Sequence, residues 1–393
     1  MREVAIIGVG MHPFGKHVDR SLKDLGREAV WAAIDDSSID PRRIGCAYVG
    51  NSLGGLLTGQ EGIRGQVILH DAGLDEIPVI NVENACASGT TALRGAWLEV
   101  AAGTCDVALA LGVEKMFVGD TARSLAALAS DSEVELAQMG MQFSATYASH
   151  PKYNLRGRME EYGWTDRDFA DVVVKNSRHG SLNRFAQHQR ALTADEVLAS
   201  PMIADPLTLY MCSSIADGAA AAIVCAKDEA RALSESEPVT IAAAKLRSGH
   251  FFTSADNGYS SLREMVAELY EETGIGPEDI DVAEVHDAMA PVELLIYEGL
   301  GLCDPGEGPK LIRDGTTAIG GEHVVNPSGG LVSRGHPVGA TGLGQVAELV
   351  WQLRGLAGER QAKERPLVGL AHNQGGLLTS MDSAAYALTL LRR

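Results

Sequence analysis

The chain has 393 residues, 45% of them hydrophobic and 22% charged, enough apolar material for about two to three domains' worth of core. Its 33 Lys+Arg against 52 Asp+Glu give a net charge of −19, which argues against a nucleic-acid partner. No apolar run approaches the ~20 residues of a membrane span. The N-terminus opens on a strand-like segment without a charged leader, so the chain reads as soluble and cytoplasmic.

In chain order, VAIIGVG (residues 4–10) reads as a buried strand. Gly8 and Gly10 suggest a dinucleotide fingerprint, but the third glycine is misplaced and Pro13 obstructs the helix start. Residues 22–51 then read as an amphipathic helix, a Pro-containing turn and a strand. Residues 88–103 read as a small-residue turn feeding a helix, followed by the strand DVALALG at 106–112. The same succession returns in the second half. PVTIAAAKL (238–246) is the strand, and 262–287 repeat the helix, turn and strand. Val30, Pro41, Ile44 and Val49 match Val266, Pro277, Ile280 and Val285 at a constant offset. Residues 338–355 and PLVGLA (366–371) parallel 88–103 and 106–112. Two copies of a βαβα unit predict a layered α/β protein built from duplicated halves. The boundaries follow: 1–113 with 211–236 as the first half, 237–393 as the second, and 114–210 as an insertion. Residues 151–190 hold eight Lys/Arg against five Asp/Glu, either a solvated helical face or a basic surface for an anionic ligand.

Six scattered cysteines without a CxxC pair predict neither a structural zinc site nor a disulfide framework, and no metal site is expected. Cys86, in NVENACASGTTAL, departs from the default of a small buried residue. It directly precedes a predicted helix, whose dipole would lower the thiol pKa, and its small neighbours leave room for a substrate. Three histidines stand where an α/β sheet collects its ligands: His286 in EVHDAM, His336 in SRGHPVGATG and His372 in GLAHNQGG. Each falls at a strand end or in a Gly-rich turn, and the repeat sets His336 beside the counterpart of Cys86. A Cys meeting several His is an acyl-transfer constellation. NPSGGLVSRG lacks the GxSxG spacing of a serine nucleophile.

At NACASG, PLTLYMCSSIADGAAAAIV, EVHDAM, NPSGGLVSRGHPVGATG and AHNQGG the chain resembles the thiolase superfamily, most closely its sterol-carrier-protein (lipid-transfer-protein) type. The likeness covers essentially the whole length. It implies an αβαβα arrangement of two similar halves with a loop domain inserted in the first. It also implies Cys86 as the acyl-carrying nucleophile, activated by His336. His336 and His286 would form the oxyanion hole for the thioester carbonyl. The Cys86 N–H, with one from the Gly375–Gly376 loop, would form a second hole. His372 would stand where many thiolases carry a second cysteine. Coenzyme A is the implied cosubstrate, with no permanently bound cofactor, and the insertion would bind it through Arg178, Arg184 and Lys152. One departure concerns acid/base chemistry. The sterol-carrier type usually carries a second cysteine in its HDCF motif and other thiolases in CxG, whereas here Ala288 and HNQ stand there, leaving proton transfer to His372 or His286.

Three activities follow from the resemblance. The first is thiolytic cleavage of a 3-ketoacyl-CoA, or the reverse Claisen condensation, through acyl-Cys86. The second is retro-aldol cleavage of CoA-linked side chains with an OB-fold/zinc-ribbon partner. The third is a non-catalytic acyl-CoA-binding subunit. A homodimer or dimer of dimers is the implied assembly.

Overall fold

The structure, a computed structural model, describes residues 1–138, 155–250, 260–380 and 382–393. Twelve strands form among them: β1 (Val4–Met11), β2 (Cys46–Gly50), β3 (Val79–Val82), β4 (Val107–Glu114), β5 (Met202–Ala204), β6 (Leu207–Thr208), β7 (Gly218–Ala226), β8 (Val239–Arg247), β9 (Val282–Glu284), β10 (Val324–Val325), β11 (Val368–Gly375) and β12 (Ala385–Arg392). Ten share one sheet in the order β10-β9-β11-β12-β8-β1-β7-β4-β2-β3.

The sheet reads as two copies of one pattern. In the first half β1 runs antiparallel to β7 and β7 to β4, while β4, β2 and β3 are parallel. In the second, β8 is antiparallel to β12 and β12 to β11, while β11, β9 and β10 are parallel. The halves join where Ala5 and Ile6 of β1 meet Thr240 and Val239 of β8. The repeat extends to detail: short turns at Pro41–Arg43 and Pro277–Asp279 each precede the second strand of their half.

Strand alternation sorts the core into layers. Val4 and Ile6 face inward with the helices Ser88–Ala102 and Thr341–Arg354, which pack through Ala92, Leu93 and Ala96 against Leu343, Val346 and Val350. Ala5 and Ile7 face the outer helix Leu22–Ser37. On the far side Leu262 and Met265 of the helix Ser260–Thr273 cover Leu370, Leu388 and Leu390. Each such large aliphatic side chain, fully buried, contributes roughly 1.5–3 kcal/mol. Helix, strand, helix, strand, helix is the resulting section.

The two central helices meet N-terminus to N-terminus, which only glycines permit. A Cβ at Gly89 would lie 2.8 Å from Gly339 O, and one at Gly342 would lie 2.0 Å from Thr90 Oγ1. The described part of the insertion packs on the second half: Phe169, Val172 and Val173 of the helix Asp166–Ser181 share a core with Leu294, Leu295 and Val325.

Candidate functional site

Cys86 sits on a tight turn between β3 and the helix Ser88–Ala102. Ala85 takes a left-handed φ of 48°. The turn is pinned by Ser88, whose hydroxyl accepts from Asn84 N at 2.9 Å and donates to Ala85 O at 2.6 Å. Gly375, the last residue of β11, presses on it from the other side. A Cβ there would lie 2.4 Å from Asn84 O and 2.8 Å from Cys86 N. Gly376 follows with φ of 69° and turns the chain so that Leu377 N donates to Asp131 O at 3.2 Å.

The fold brings Cys86 to His336. Cys86 Sγ and His336 Nε2 are 3.2 Å apart, although 250 residues separate them in sequence. His336 Nδ1 lies 2.7 Å from Thr341 Oγ1, and the Thr341 hydroxyl donates to Pro337 O at 3.0 Å. With its only proton committed, that hydroxyl accepts from Nδ1–H, so the Nε2 lone pair faces the sulfur. His286 stacks edge-on against His336 with centroids 5.1 Å apart. The ligating atoms of Cys86, His286 and His336 all lie within 4.8 Å of one another.

Burial dominates the electrostatics. It holds His336 well below the ordinary histidine range, helped by His286 and the Arg334 guanidinium. It pulls His286 down to about 3, again with help from Arg334. Cys86 is pushed well above the ordinary thiol value, first by burial and then by the Asp131 and Glu114 carboxylates. The lowered pKa expected from the helix dipole is thus reversed, because desolvation penalises the thiolate. The resting pair is a neutral thiol facing a neutral imidazole base, and proton transfer between them at the moment of attack is the chemistry this geometry permits.

Two carboxyl groups hidden from the sequence brace the loops around Cys86 and His336. Glu114 accepts from Asn51 Nδ2, Ser52 N, Leu53 N and Gly339 N at 2.9–3.1 Å, tying the loop after β2 to the His336 loop. Asp131 accepts from Ser52 Oγ at 2.8 Å, and burial pushes its carboxyl up to about 7.

His372 differs from the sequence expectation. It lies within β11 opposite Leu388, because the strand runs on to Gly375, and it faces the backbone N–H of His286, 3.5 Å from Nδ1. It is not among the residues lining the cavity onto which Cys86 and His336 open. That cavity measures about 1120 Å³. Its apolar walls include Leu125, Leu128, Leu136, Met289, Val332 and Leu377, and its polar lining includes Lys16, Arg190 and His188.

The basic insertion is largely neutralised within the protein. Lys175 pairs with Glu293 at 2.8 Å, Arg158 with Glu298 at 2.7 Å, Arg156 with Asp205 and Arg190 with Glu196. Arg178 and Arg184 are exposed and do not line the cavity, and Lys152 lies outside the described residues. Thr341 carries no role in the sequence reading although it stands five residues after His336 in GHPVGAT; Lys16 closes IIGVGMHPFGK, where the family likeness begins without assigning it a role.

Comparison with known proteins agrees with this geometry. Residues 4–228 match the family model "Thiolase, N-terminal domain" and residues 243–387 match "Thiolase C-terminal domain-like". An acetyl-CoA acetyltransferase of Methanothermobacter thermautotrophicus is 42% identical over 96% of this chain and 97% of its own length. The benzoylsuccinyl-CoA thiolase subunit BbsB of Thauera aromatica is 39% identical over 95% of each chain. Human sterol carrier protein 2 is 38% identical over 95% of this chain and 70% of its own length. Among solved structures, an Ltp2-ChsH2(DUF35) aldolase superposes with a TM-score of 0.81 at 25% identity, covering 99% of this chain and 97% of that one. With both family domains matched in order along a duplicated α/β fold, the chain belongs to the thiolase family.

Proposed function

We propose that this protein is a CoA-dependent acyltransferase of thiolase type, cleaving a 3-ketoacyl-CoA or condensing two acyl-CoAs through an acyl-Cys86 intermediate. The observation that carries this reading is the 3.2 Å approach of His336 Nε2 to Cys86 Sγ. In the condensing direction His336 Nε2 first takes the thiol proton as the sulfur attacks the thioester carbonyl, then returns it to the departing CoA thiolate; in the cleaving direction the sulfur attacks the 3-keto carbonyl, the C–C bond breaks and the proton goes to the departing enolate carbon. The N–H groups of Cys86 and the Gly375–Gly376 turn would steady the acyl-enzyme oxygen. In the second step His286, kept neutral by burial, would take the α-proton of the incoming acyl-CoA; the carbon so freed attacks the acyl-Cys86 carbonyl, the C–S bond breaks, and the proton passes to the released Cys86 thiolate. His286 is favoured over His372 because it shares the Cys86 and His336 cluster.

Intact-protein mass spectrometry after incubation with acetyl-CoA and longer acyl-CoAs tests the intermediate. One acyl increment on the wild type and none on Cys86→Ala is the expected result; no increment with any donor would overturn it. Thr341 acts through His336, so Thr341→Val should lower kcat about tenfold with KM little changed, by analogy with other imidazole-orienting partners. Thr341→Ser should restore the rate, which a loss of packing alone would not.

Coenzyme A would meet Lys16, His188 and Arg190, the last by giving up its exposed pair with Glu196, rather than Arg178 and Arg184. Lys16→Glu or Arg190→Glu should raise KM for coenzyme A by roughly two- to fivefold, the scale of an exposed charge contact, and Arg178→Glu should not. Steady-state kinetics at low salt reads the difference.

A retro-aldolase working with an OB-fold/zinc-ribbon partner is the second reading. It is favoured by the similarity to the solved Ltp2-ChsH2(DUF35) aldolase, and by Ala288 standing where a second thiol would be. That chemistry needs no acyl-enzyme, so Cys86→Ala would retain it. A homodimer would form at β3, the open edge of the sheet beside Cys86, which light scattering of the purified protein would test. All six cysteines are free thiols, in keeping with a cytoplasmic setting, and no helix among the described residues is long and apolar enough to cross a membrane.

A further inference from the structure

We infer that Cys86, His286 and His336 together form a binding site for a thiophilic divalent cation of the Zn²⁺ class. Local spacing gives no hint of such a site, since its ligands come from three distant segments that only the duplicated fold assembles. One thiol and two imidazoles are a donor set suited to zinc. All three side chains are buried, at 3%, 2% and 6% exposure, and their ligating atoms lie within 4.8 Å of one another. Tetrahedral zinc, with bonds of about 2.3 Å to sulfur and about 2.0–2.1 Å to nitrogen, sets ligand atoms roughly 3.3–3.6 Å apart. Cys86 and His336 already stand at 3.2 Å, and His286, within 4.8 Å of both, needs a closure of at most about 1.5 Å to complete the set.

Two further observations point the same way. His336 has the second partner that metal-bound imidazoles need: Thr341 fixes Nδ1 at 2.7 Å and leaves Nε2 free to ligate. The Nδ1 of His286 is buried without a hydrogen-bond partner, so the neighbouring imidazole carries unused donor or acceptor capacity. The fourth coordination position would open into the cavity that Cys86 and His336 line, where a water or a substrate thiol would occupy it. The step is a ligand exchange. A Zn–S bond forms, the S–H bond breaks, the proton passes to water, and nothing is oxidised or reduced. A bound cation takes both the sulfur and the Nε2 lone pair, so metal and acyl group exclude each other; this consequence rests on the acyltransferase reading, the site itself does not.

Co²⁺ titration of the metal-free full chain, with no acyl donor present, tests the site by its thiolate-to-cobalt absorption. One equivalent with tetrahedral spectra is expected in the wild type. Cys86→Ala should lose the thiolate band, His286→Ala should weaken binding at least tenfold, and Cys46→Ser, at a thiol 3.4 Å from Cys105, should change nothing. As a measurement free of variants, Zn²⁺ should protect Cys86 of the wild type from iodoacetamide, read on the peptide by mass spectrometry, with EDTA reversing it. No thiolate band, a band that survives in Cys86→Ala, or unprotected alkylation would overturn the inference. An acyl-enzyme without metal binding would sink the site alone, and metal binding without an acyl-enzyme would sink only the acyltransferase reading.

Discussion

Replacing His336 with Ala should slow acylation of Cys86 by about 10²–10⁴-fold, the usual worth of a positioned general base. The thiol alone cannot compensate, because burial and the nearby Asp131 and Glu114 hold its pKa well above the ordinary value. The pH profile makes the assignment specific. An imidazole of normal pKa would become protonated below about pH 6.5 and lose its function as a base. His336 is held well below that by desolvation, by His286 and by Arg334, so it stays unprotonated and competent in weak acid. The wild-type acylation rate should therefore show no drop between pH 6.5 and 5. The variant, dependent on free thiolate, should speed up about tenfold per pH unit over the accessible range. Quenched mass spectrometry with acetyl-CoA measures both. A wild-type rate that halves near pH 6.5, or a variant that acylates as fast as the wild type, would contradict the base assignment.

Much of this site was legible because the sequence repeats its own architecture. The fixed offset between Pro41 and Pro277 predicted two equivalent halves, and the strand orders around β1 and β8 repeat that equivalence. Cys86 and His336 each precede a central helix, so their pairing follows from the symmetry of the repeat. What the sequence hid depends on depth and on long-range contact. The helix dipole alone points the wrong way for Cys86, since sequence position reveals the helix terminus and not the desolvation that outweighs it. His372 was misplaced because the HNQGG run, with its polar residues and glycines, looks like the end of a strand. It is buried strand, paired residue by residue with β12. Glu114 and Asp131 carry no motif, and their importance comes only from the elements that fold over them. The basic count in the insertion leaves both of its readings open for a related reason: charge composition does not say which cations already have partners inside the protein.

Lys175 is the clearest of those cations, and Lys175→Met should destabilise the protein by about 3–5 kcal/mol, the cost of breaking a buried pair from one side. Its ammonium meets Glu293 at 2.8 Å and donates to Val325 O at 2.8 Å, with both side chains almost fully buried. Glu293 also accepts from Asn176 Nδ2 and Asn326 Nδ2, each at 2.7 Å, and from the Tyr297 hydroxyl. Asn176 continues to Asp287 at 2.9 Å, and Asp287 accepts from Leu331 N at 2.7 Å. Asn326 accepts from Val285 N at 2.8 Å, one residue before His286. The network thus clamps the segment bearing His286 to the one leading into His336, so removing its cation should also cost activity before the protein unfolds. Denaturant titration reads the stability. The double variant Lys175→Met/Glu293→Gln should recover part of the loss, since a neutral amide oxygen still accepts from the two asparagines without a buried charge to compensate. A single variant within about 1 kcal/mol of the wild type, the scale of an exposed pair, would show instead that Lys175 is solvated in solution and free to meet an anionic ligand.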